Sequence, residues 1–564
     1  MPTSSSALER RLSEAPAALI DTPAATVFDA FDIAARRHPA HEFLHVPASA
    51  TRRYTQGAIS LTYARAREEV GVIQEAYRRA GLGPGKRVAT LLENRPAAFL
   101  HWLALNALGA SVVPINPDYR AAEIRYLLEH SEACLIVGIG ERLESLRQAA
   151  AGLDRPPPVL DAADVAEGFE PVGSVAQPLA GARSDECAVL YTSGTTGRPK
   201  GCLLSNDYFI RLGLRYLNRK GCISLRSGSE RVLTPLPMFH MNAMATTTLG
   251  MVLSGGCIVQ LDRFHPDSWW HDVHASGATG IHYLGVMPAI LLGLPESPLE
   301  RRHRVRYGSG ANVEPRHHAA FEARFGFPLV EAWAMTETGS AIGLGAEEEP
   351  RHVGTRCFGR VPSSVELRLI DEAGDEVPRG EPGEMLVRRA GPDPRLGFFS
   401  GYLKDPEATA EGWAGGWWHT GDMARFGPDG SLHFVDRKKN VIRRSGENIS
   451  ALEIEALLRE HPEVGDVGVA AVADDIRGEE VAACIVTRSH AANEAAADRL
   501  VAWMLARAAY YKAPGWVAFV PALPTTPTQK IDRAGLKRAA ADLVAQNRAF
   551  DMRAMKRRDA VADR

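Results

Sequence analysis

The segment YTSGTTGRPKG, residues 191–201, has a composition suited to binding a phosphate group. Its glycines allow the backbone to approach a bulky anion, and its hydroxyl side chains and two cations supply hydrogen-bond donors. The spacing differs from that of a Walker loop, because Pro199 stands where the second glycine belongs and Gly201 follows Lys200. Residues 187–190 form an apolar run typical of a buried strand. We therefore interpret the segment as a phosphate-binding loop of another kind.

Length and composition limit the classes of protein to consider. A chain of 564 residues is too long for a single hydrophobic core, so two or more domains are expected. Hydrophobic residues make up 45% and charged residues 24% of the chain, as in ordinary globular proteins. The formal net charge of -3 gives no broad field to attract nucleic acid or a membrane surface. We therefore expect small-molecule partners and no nucleic acid.

The cysteines and the apolar segments indicate the compartment. The 7 cysteines are scattered without a CxxC pair, which fits neither a disulfide framework nor a zinc site. The N-terminal segment lacks the apolar core of a signal peptide, and the most apolar internal stretch, residues 241–261, is interrupted by glycine and threonine. The sequence predicts a cytoplasmic protein with no membrane span. It leaves open whether the chain forms a homodimer.

The pattern along the chain predicts an α/β protein. Residues 87–117 read as strand, helix and strand, and similar alternations recur around CAVLYTSG, GCIVQLD, GATGIHYLGVMP and RVRYGSGANV. These predict a large N-terminal body of parallel-rich sheets. From about Val361, alternating apolar residues and Gly/Pro turns predict an antiparallel β subdomain. After the basic run RKKNVIRR, a helix followed by strands and a second helix predicts a small α+β domain.

Seven motifs occur in one order: YTSGTTGRPKG, PLPMFHMNA, YGSGANVEP, EAWAMTETG, WWHTGD, DRKKNVIRRSGENISALEIE and PTQKIDR. The series resembles the acyl- and aryl-CoA synthetases of the adenylate-forming superfamily. In motif style it is most similar to the crotonobetaine/carnitine-CoA ligase-like and the fatty and aryl acyl-CoA ligases. The resemblance implies an N-terminal AMP-binding domain over residues 1–438 and a mobile C-terminal domain over residues 439–564.

The resemblance also implies the reaction. A carboxylate attacks the α-phosphorus of ATP to give acyl-AMP and pyrophosphate, and the thiol of CoA then displaces AMP to form a thioester. Both steps need the developing phosphate charge to be neutralised by fixed donors, cations and Mg²⁺. The expected cofactors and co-substrates are therefore ATP, Mg²⁺ and CoA.

The same resemblance assigns nucleotide-binding residues. Trp333 would stack on adenine, Thr336 would touch the α-phosphate, and Glu337 would hold Mg²⁺. Asp422 and Arg437 would bind the ribose, although Asp436 stands where the family usually has Gly. The β- and γ-phosphates would be held by Thr192, Ser193, Gly194, Thr195, Thr196, Gly197 and Lys200.

The C-terminal motifs supply the residues expected to act in each half-reaction. Lys530 would stabilise charge during adenylate formation, although Gln529 replaces the glycine that commonly precedes it. Lys439 would be the hinge about which the small domain rotates for the second step. That rotation would bring up the CoA-binding residues Arg443, Arg444 and Gly446.

A further set of residues is expected to form the acid-binding pocket. Ala334 stands where relatives with deep pockets often have Gly, and its methyl group would narrow the channel. We therefore expect a short or medium, or ring-bearing, acid. His240 is assigned to the substrate site and not as a general base. The other expected pocket residues are Tyr283, Leu284, Met287, Gly308, Ser309, Gly310 and Ala311.

Two other classes of function remain open from the sequence. A stand-alone adenylation enzyme would pass the acyl group to a carrier protein or an amine, and CoA dependence distinguishes it from a CoA ligase. A non-catalytic nucleotide-binding regulator would be expected to have lost Lys530, Glu337 or the phosphate loop, all of which are present.

Overall fold

The computed structural model describes residues 22–174, 181–192, 198–339, 342, 344–437, 441–488, 492–524 and 531–557. Within these ranges, none of the helices combines the length and the apolar composition needed to cross a bilayer.

The helices are α1 (Val27–Arg37), α2 (Tyr63–Arg79), α3 (Pro96–Asn106), α4 (Ala121–Ser131), α5 (Leu143–Ala150), α6 (Asn206–Leu217), α7 (Thr248–Ser254), α8 (Trp269–Ser276), α9 (Val286–Gly293), α10 (Pro315–Phe325), α11 (Pro406–Gly412), α12 (Ala451–Arg459), α13 (Glu494–Leu505) and α14 (Arg533–Ala545). A π-helix, Asn242–Thr247, directly precedes α7.

The strands are β1 (Glu42–Val46), β2 (Ile59–Thr62), β3 (Arg87–Leu91), β4 (Ser111–Pro114), β5 (Leu135–Gly138), β6 (Val159–Asp161), β7 (Glu186–Thr192), β8 (Lys200–Ser205), β9 (Arg231–Thr234), β10 (Cys257–Gln260), β11 (Gly280–Leu284), β12 (Tyr307–Ala311), β13 (Leu329–Trp333), β14 (Leu344–Gly345), β15 (Cys357–Arg360), β16 (Val365–Ile370), β17 (Gly383–Arg389), β18 (Gly401–Tyr402), β19 (Trp418–Phe426), β20 (Ser431–Arg437), β21 (Val441–Arg444), β22 (Glu447–Ser450), β23 (Val464–Asp474), β24 (Gly478–Thr487), β25 (Trp516–Phe519) and β26 (Phe550–Asp551).

Two large, mostly parallel sheets form the N-terminal body. Their strand orders are β14-β13-β12-β11-β9-β10-β1-β2 and β18-β8-β7-β4-β3-β5-β6. The predicted strand–helix–strand unit is β3–α3–β4, whose strands pair in parallel from Arg87 opposite Ser111. Helix α3 begins at Pro96, whose fixed φ suits the first turn, and the helix is buried from Phe99 onward because it packs between elements. The predicted α/β class is confirmed.

The phosphate-loop motif lies at an antiparallel junction of the second sheet. β7 is the continuous apolar strand that the sequence predicts, and it pairs with β8 so that Thr192 lies opposite Lys200. The same pairing places Tyr191 opposite Gly201. The two motif residues at the strand ends are thus held side by side by the sheet.

An antiparallel sheet and a separate C-terminal sheet complete the fold, as the sequence predicts. The strand order of the antiparallel sheet is β15-β20-β19-β17-β16. The C-terminal sheet has the order β22-β21-β24-β25-β26, with β23 paired to β24. This sheet and the helices α12 and α13 enclose their own core, which includes Ile442, Ile454, Val481, Leu500 and Val517. The domain boundary between residues 438 and 439 stays a prediction.

A buried ionic cluster holds the C-terminal sheet to the end of the chain. Glu480 on β24 accepts a hydrogen bond from Arg444 Nε at 2.8 Å and pairs with Lys556 Nζ at 2.5 Å. The three side chains are at most 3% exposed. A single carboxylate therefore serves two buried basic groups, and burial together with the Arg444 charge lowers the pKa of Lys556 to about 7.

We predict that Glu480→Gln lowers the free energy of unfolding of the C-terminal unit by about 3–5 kcal/mol, because the buried Arg444 guanidinium then loses its counterion. Urea unfolding followed by tryptophan fluorescence measures this. The matched control is Glu463→Gln, which breaks an exposed pair with Arg499 and should leave the unfolding curve essentially unchanged. Equal behaviour of the two variants would contradict the prediction.

Candidate active site

A cleft of about 1640 Å³ lies between the N-terminal body and the C-terminal hairpin β21–β22. Its walls come from distant parts of the sequence, which the fold brings together. The predicted site residues that line it are Thr192, Lys200, His240, Leu284, Ala334, Thr336, Glu337, Arg443, Arg444 and Gly446.

One corner of the cleft joins the phosphate-loop lysine to the predicted magnesium ligand. Lys200 Nζ lies 3.4 Å from Asp405 Oδ2 and 5.0 Å from the centre of the Tyr402 ring. The Tyr402 hydroxyl donates a hydrogen bond to Glu337 Oε1 at 2.8 Å. Burial and the nearby Glu337 carboxylate raise the pKa of Tyr402, so this hydroxyl remains a donor at neutral pH. Cation, phenol and carboxylate thus form one connected group.

Tyr402 and Asp405 were not among the sequence-predicted residues. Tyr402 lies on β18, a two-residue strand that pairs with β8, so that Tyr402 is opposite Cys202. The signal in the sequence is the GY pair before the helix-initiating DP of α11, which alone indicates only a strand end and a turn. Its place beside Lys200 depends on pairing between distant strands.

The loop that carries Thr336 and Glu337 is fixed through its backbone. Tyr208 Oη donates to the Thr336 carbonyl at 2.9 Å, and the Phe399 amide donates to the Glu337 carbonyl at 2.9 Å. Gly339 has a φ of +50°, and a Cβ there would lie 2.3 Å from the Tyr208 ring. Only glycine suits both the backbone conformation and the contact. The side chains of Thr336 and Glu337 are therefore presented to the cleft.

Glu337 has the chemistry expected of a magnesium ligand. The residue is 7% exposed, and its carboxylate is oriented by the Tyr402 hydroxyl. Among the described residues, no group of three or more His, Cys, Asp or Glu side chains is positioned to hold a metal. A magnesium ion here would thus combine one protein carboxylate with phosphate and water oxygens, as this ion commonly does.

The two residues predicted to bind the nucleoside contact each other. Trp333 Nε1 donates a hydrogen bond to Asp422 Oδ2 at 2.8 Å, and the residues are 6% and 2% exposed. The strand register places Asp422 opposite Arg437 on β20. The motifs did not predict the tryptophan–aspartate contact, which only the meeting of β13 and β19 creates.

The structure corrects the predicted set of acid-pocket residues on β11. Leu284 lines the cleft, but the neighbouring Tyr283 points to the opposite face of β11, where its hydroxyl donates to the Val330 carbonyl at 3.3 Å. Tyr283 belongs to the core behind the sheet because successive strand residues face opposite sides, and Met287 on helix α9 packs in the same core. A Cβ at Gly310 would lie 2.7 Å from the Tyr283 ring. Gly310 therefore accommodates this core tyrosine.

The other predicted residues of β12 differ in their surroundings. Gly308 also packs against the Tyr283 side of the sheet, whereas Ser309 lies 3.4 Å from Arg219 Nη1 on the other face. Ala311, at the end of the strand, is partly exposed. Ala334 is exposed and lines the cleft, where its methyl group would narrow the space for the acid.

The hairpin β21–β22 forms the C-terminal wall of the cleft. Gly446 has a φ of +91°, and a Cβ there would lie 2.4 Å from Leu284 Cδ1. Arg443 Nη1 donates to Asn312 Oδ1 at 2.8 Å, and Glu447 lies 3.7 Å from His240 Nε2. The hairpin is thus in contact with the part of the N-terminal body that carries His240, Leu284 and Asn312.

The prediction that Arg444 binds CoA is corrected by the structure. Its side chain is 3% exposed and pairs with Glu480 inside the C-terminal domain. A guanidinium engaged in this way has a structural role and is not available to bind phosphate. Arg443, on the other face of β21, keeps its side chain at the cleft.

Several predicted residues lie outside the described residues. They are Ser193, Gly194, Thr195, Thr196, Gly197, Lys439, Lys530 and the side chain of Arg437.

We predict that Tyr402→Phe raises the Mg²⁺ concentration needed for half-maximal activity about tenfold, because Glu337 loses the hydrogen bond that orients it. Magnesium titration of AMP release at saturating ATP measures this. Tyr63→Phe is the control for loss of a buried hydroxyl, since Tyr63 bonds the Met251 and Gly256 carbonyls away from the cleft. An unchanged magnesium requirement in Tyr402→Phe would contradict the assignment.

Comparison with known proteins gives the same family along most of the chain. The model for the AMP-binding enzyme family matches residues 31–403, and the model for the AMP-binding enzyme C-terminal domain matches residues 453–530.

Curated relatives include several CoA ligases. The chain is 32% identical over 483 residues to a sulfoacetate–CoA ligase of Cupriavidus necator, covering 84% of this chain and 91% of the relative. It is 30% identical over 492 residues to a crotonobetaine/carnitine–CoA ligase of Citrobacter koseri, covering 84% and 93%. It is 33% identical over 489 residues to a feruloyl-CoA synthase of an Amycolatopsis species, covering 86% and 94%.

Solved structures share the fold. An o-succinylbenzoate CoA synthetase from Bacillus subtilis superposes with a TM-score of 0.77 at 22% identity, over 90% of this chain and 98% of the other. An amide bond synthetase from Marinactinospora thermotolerans gives a TM-score of 0.75 at 26% identity, over 90% and 99%. The chain belongs to the AMP-binding enzyme family, and its resemblance to the AMP-forming acid–CoA ligases of the adenylate-forming superfamily is confirmed.

Proposed function

We propose that this enzyme uses ATP to convert a short or medium, or ring-bearing, carboxylic acid to acyl-AMP and then transfers the acyl group to CoA. The observation that carries the proposal is the single cleft shared by Lys200, Thr336 and Glu337 on one side and the Arg443–Gly446 hairpin on the other. The residues that we propose for phosphate binding and those that we propose for guiding the thiol thus face the same space.

In the first half-reaction, an oxygen of the carboxylate attacks the α-phosphorus and pyrophosphate leaves. Lys200 and the hydroxyl-rich loop would neutralise the β- and γ-phosphates, and Thr336 would donate to the α-phosphate. Magnesium held by Glu337 would neutralise the charge that develops on the phosphate oxygens. Asp422, fixed by Trp333, would accept hydrogen bonds from the ribose hydroxyls. Lys530 would stand between the carboxylate and the α-phosphate and align them.

In the second half-reaction, the thiol of CoA attacks the acyl carbonyl and AMP leaves. Support for this step comes from the hairpin, because Gly446 approaches Leu284 so closely that a Cβ at this position would lie 2.4 Å from Leu284 Cδ1. Arg443 lies at the cleft and would meet a CoA phosphate. Rotation of the C-terminal domain at Lys439 would exchange Lys530 for this hairpin between the two steps.

Similarity to known ligases does not define the acid. The relatives named above act on sulfoacetate, crotonobetaine or carnitine, and a feruloyl group, which differ in charge and size. Ala334, exposed to the cleft, supports a pocket too narrow for a long unbranched chain.

The direct test measures AMP and pyrophosphate release with ATP and Mg²⁺ over a panel of carboxylic acids, each with and without CoA. We expect CoA-dependent AMP release with a subset of acids and the matching thioester by mass spectrometry. Pyrophosphate release without a thioester would instead favour an amine or carrier-protein acceptor, a possibility supported by the similarity to an amide bond synthetase. No release with any acid would overturn the proposal.

Two substitutions should separate the half-reactions. We predict that Lys530→Ala lowers acyl-AMP formation at least about 100-fold but affects thioester formation from supplied acyl-AMP far less, because the ammonium acts only on the phosphate step. Gly446→Val should do the reverse, because its side chain would meet Leu284. Single-turnover assays of each half-reaction measure the effects. Equal losses in both halves for either variant would contradict this division of roles.

A further inference from the structure

Helix α4 contacts both strand ends that border the phosphate-binding segment. Thr192 is the last residue of β7, and Lys200 is the first residue of β8. Both residues line the cleft, and both belong to the set proposed to bind the β- and γ-phosphates. Where these two residues lie therefore depends on what holds the ends of their strands.

Tyr126 on α4 holds the start of β8 through the backbone. Its hydroxyl donates a hydrogen bond to the Pro199 carbonyl at 2.9 Å. That carbonyl belongs to the planar peptide bond between Pro199 and Lys200, so the hydrogen bond fixes the plane from which Lys200 extends. The guanidinium of Arg198 lies over the Tyr126 ring, with Cζ 5.4 Å from the ring centre. Tyr126 thus contacts the two consecutive residues that precede Lys200.

His130, one turn further along α4, holds the end of β7. Its Nδ1 shares a hydrogen bond with the Tyr191 hydroxyl at 2.8 Å, directly before Thr192. A Cβ at Gly201, which lies opposite Tyr191, would be 3.3 Å from the Tyr191 ring, so the glycine leaves room for that ring. The His130 ring stacks on Tyr126 with the ring centres 5.4 Å apart. The two side chains of α4 therefore form one aromatic unit that contacts both strands.

The hydrophobic core makes α4 a rigid support for this unit. Ile124, Leu127 and Leu128 are at most 3% exposed and pack in one core with Val189 of β7. Tyr126 and His130 are four positions apart, a spacing that places two side chains on the same side of a helix. The helix is thus fixed on the sheet by its apolar face, and a second face reaches the strand ends.

Tyr126 and His130 differ from the strand-end residues in their relation to the cleft. Neither of them is among the residues that line it, whereas Thr192 and Lys200 are. A cation or hydroxyl group neutralises a phosphate only when it is held at hydrogen-bond distance, so small shifts of its backbone weaken the interaction. The contacts of α4 therefore bear on phosphate binding through the positions of Thr192 and Lys200.

We propose that Tyr126 and His130 are positioning residues for the β- and γ-phosphates of ATP, which act by holding the strand ends at Lys200 and Thr192 without touching the nucleotide. This inference rests on the proposed function and adds the residues that set the geometry of its phosphate site. It requires that the two side chains affect the binding of ATP but not that of AMP, because AMP has no β- or γ-phosphate.

The test measures two dissociation constants by calorimetry in the presence of Mg²⁺. The ligands are AMP and an ATP analogue with a methylene bridge between the α- and β-phosphorus atoms, which cannot form acyl-AMP. We expect Tyr126→Phe to weaken binding of the analogue about threefold to tenfold, because the Pro199 carbonyl loses its hydrogen bond. The dissociation constant for AMP should change by less than about twofold, because no group that contacts AMP is altered. His130→Phe keeps a ring beside Tyr126 and should show the same selective loss.

Tyr77→Phe is the matched control for loss of a tyrosine hydroxyl. The Tyr77 hydroxyl shares a hydrogen bond with His101 Nδ1 at 2.6 Å between α2 and α3, and neither residue is among those that line the cleft. This variant should lower the temperature of thermal unfolding and leave the ratio of the two dissociation constants unchanged.

The possible results separate this inference from the proposed function. Equal weakening of AMP and the analogue in Tyr126→Phe, or no weakening of the analogue, would overturn the inference while leaving the proposed function intact. Failure of the wild-type protein to bind either nucleotide would count against the proposed function, and the inference would fall with it.

Discussion

Lys512 connects the two halves of the active-site cleft through one buried ammonium group. Its Nζ lies 2.6 Å from Glu123 on α4 of the N-terminal body and 2.6 Å from Glu453 on α12 of the C-terminal domain. Burial alone would lower the pKa of Lys512, but the two carboxylates raise it above its ordinary value, so the side chain is charged. Removing either carboxylate would leave a buried charge only partly compensated.

The arrangement of the cleft depends on that connection. Tyr119 lies beside the ammonium, with its ring centre 5.2 Å from Nζ, and Asn116 donates a hydrogen bond to the Tyr511 hydroxyl at 3.0 Å. Both contacts cross from the loop after β4 to the C-terminal domain. Together they hold the hairpin β21–β22 near β11, where Gly446 meets Leu284. The described geometry is therefore one in which the hairpin forms part of the wall of the cleft.

Local patterns allowed much of the fold to be predicted. The strand–helix–strand unit at residues 87–117 was predictable because its apolar runs and its Pro and Gly residues are local signals. The resemblance assigned Lys200 and Glu337 to one nucleotide-binding set, and both side chains line the cleft. Tyr283 was misplaced because a motif match does not give the face of a strand, whereas alternation about Leu284 does.

The remaining features depend on contacts between distant residues. Glu123 and Lys512 are 389 positions apart, and Trp333 and Asp422 are 89 apart. Arg444 carries the same charge as Arg443, so only the contacts in the fold show that the guanidinium of Arg444 pairs with buried Glu480 whereas that of Arg443 reaches Asn312. Tyr402 belongs to a strand of two residues, which is too short for a periodic signal.

In the proposed reaction, the acid is activated by direct attack of its carboxylate on the α-phosphorus of ATP. This attack can be tested with an acid that the enzyme turns over, labelled with ¹⁸O in both carboxylate oxygens. The released AMP is then analysed by mass spectrometry. We expect the AMP to carry one ¹⁸O atom, because the bridging oxygen of acyl-AMP stays with phosphorus when the thiol attacks the carbonyl. AMP without label, or label found in inorganic phosphate or pyrophosphate, would contradict it.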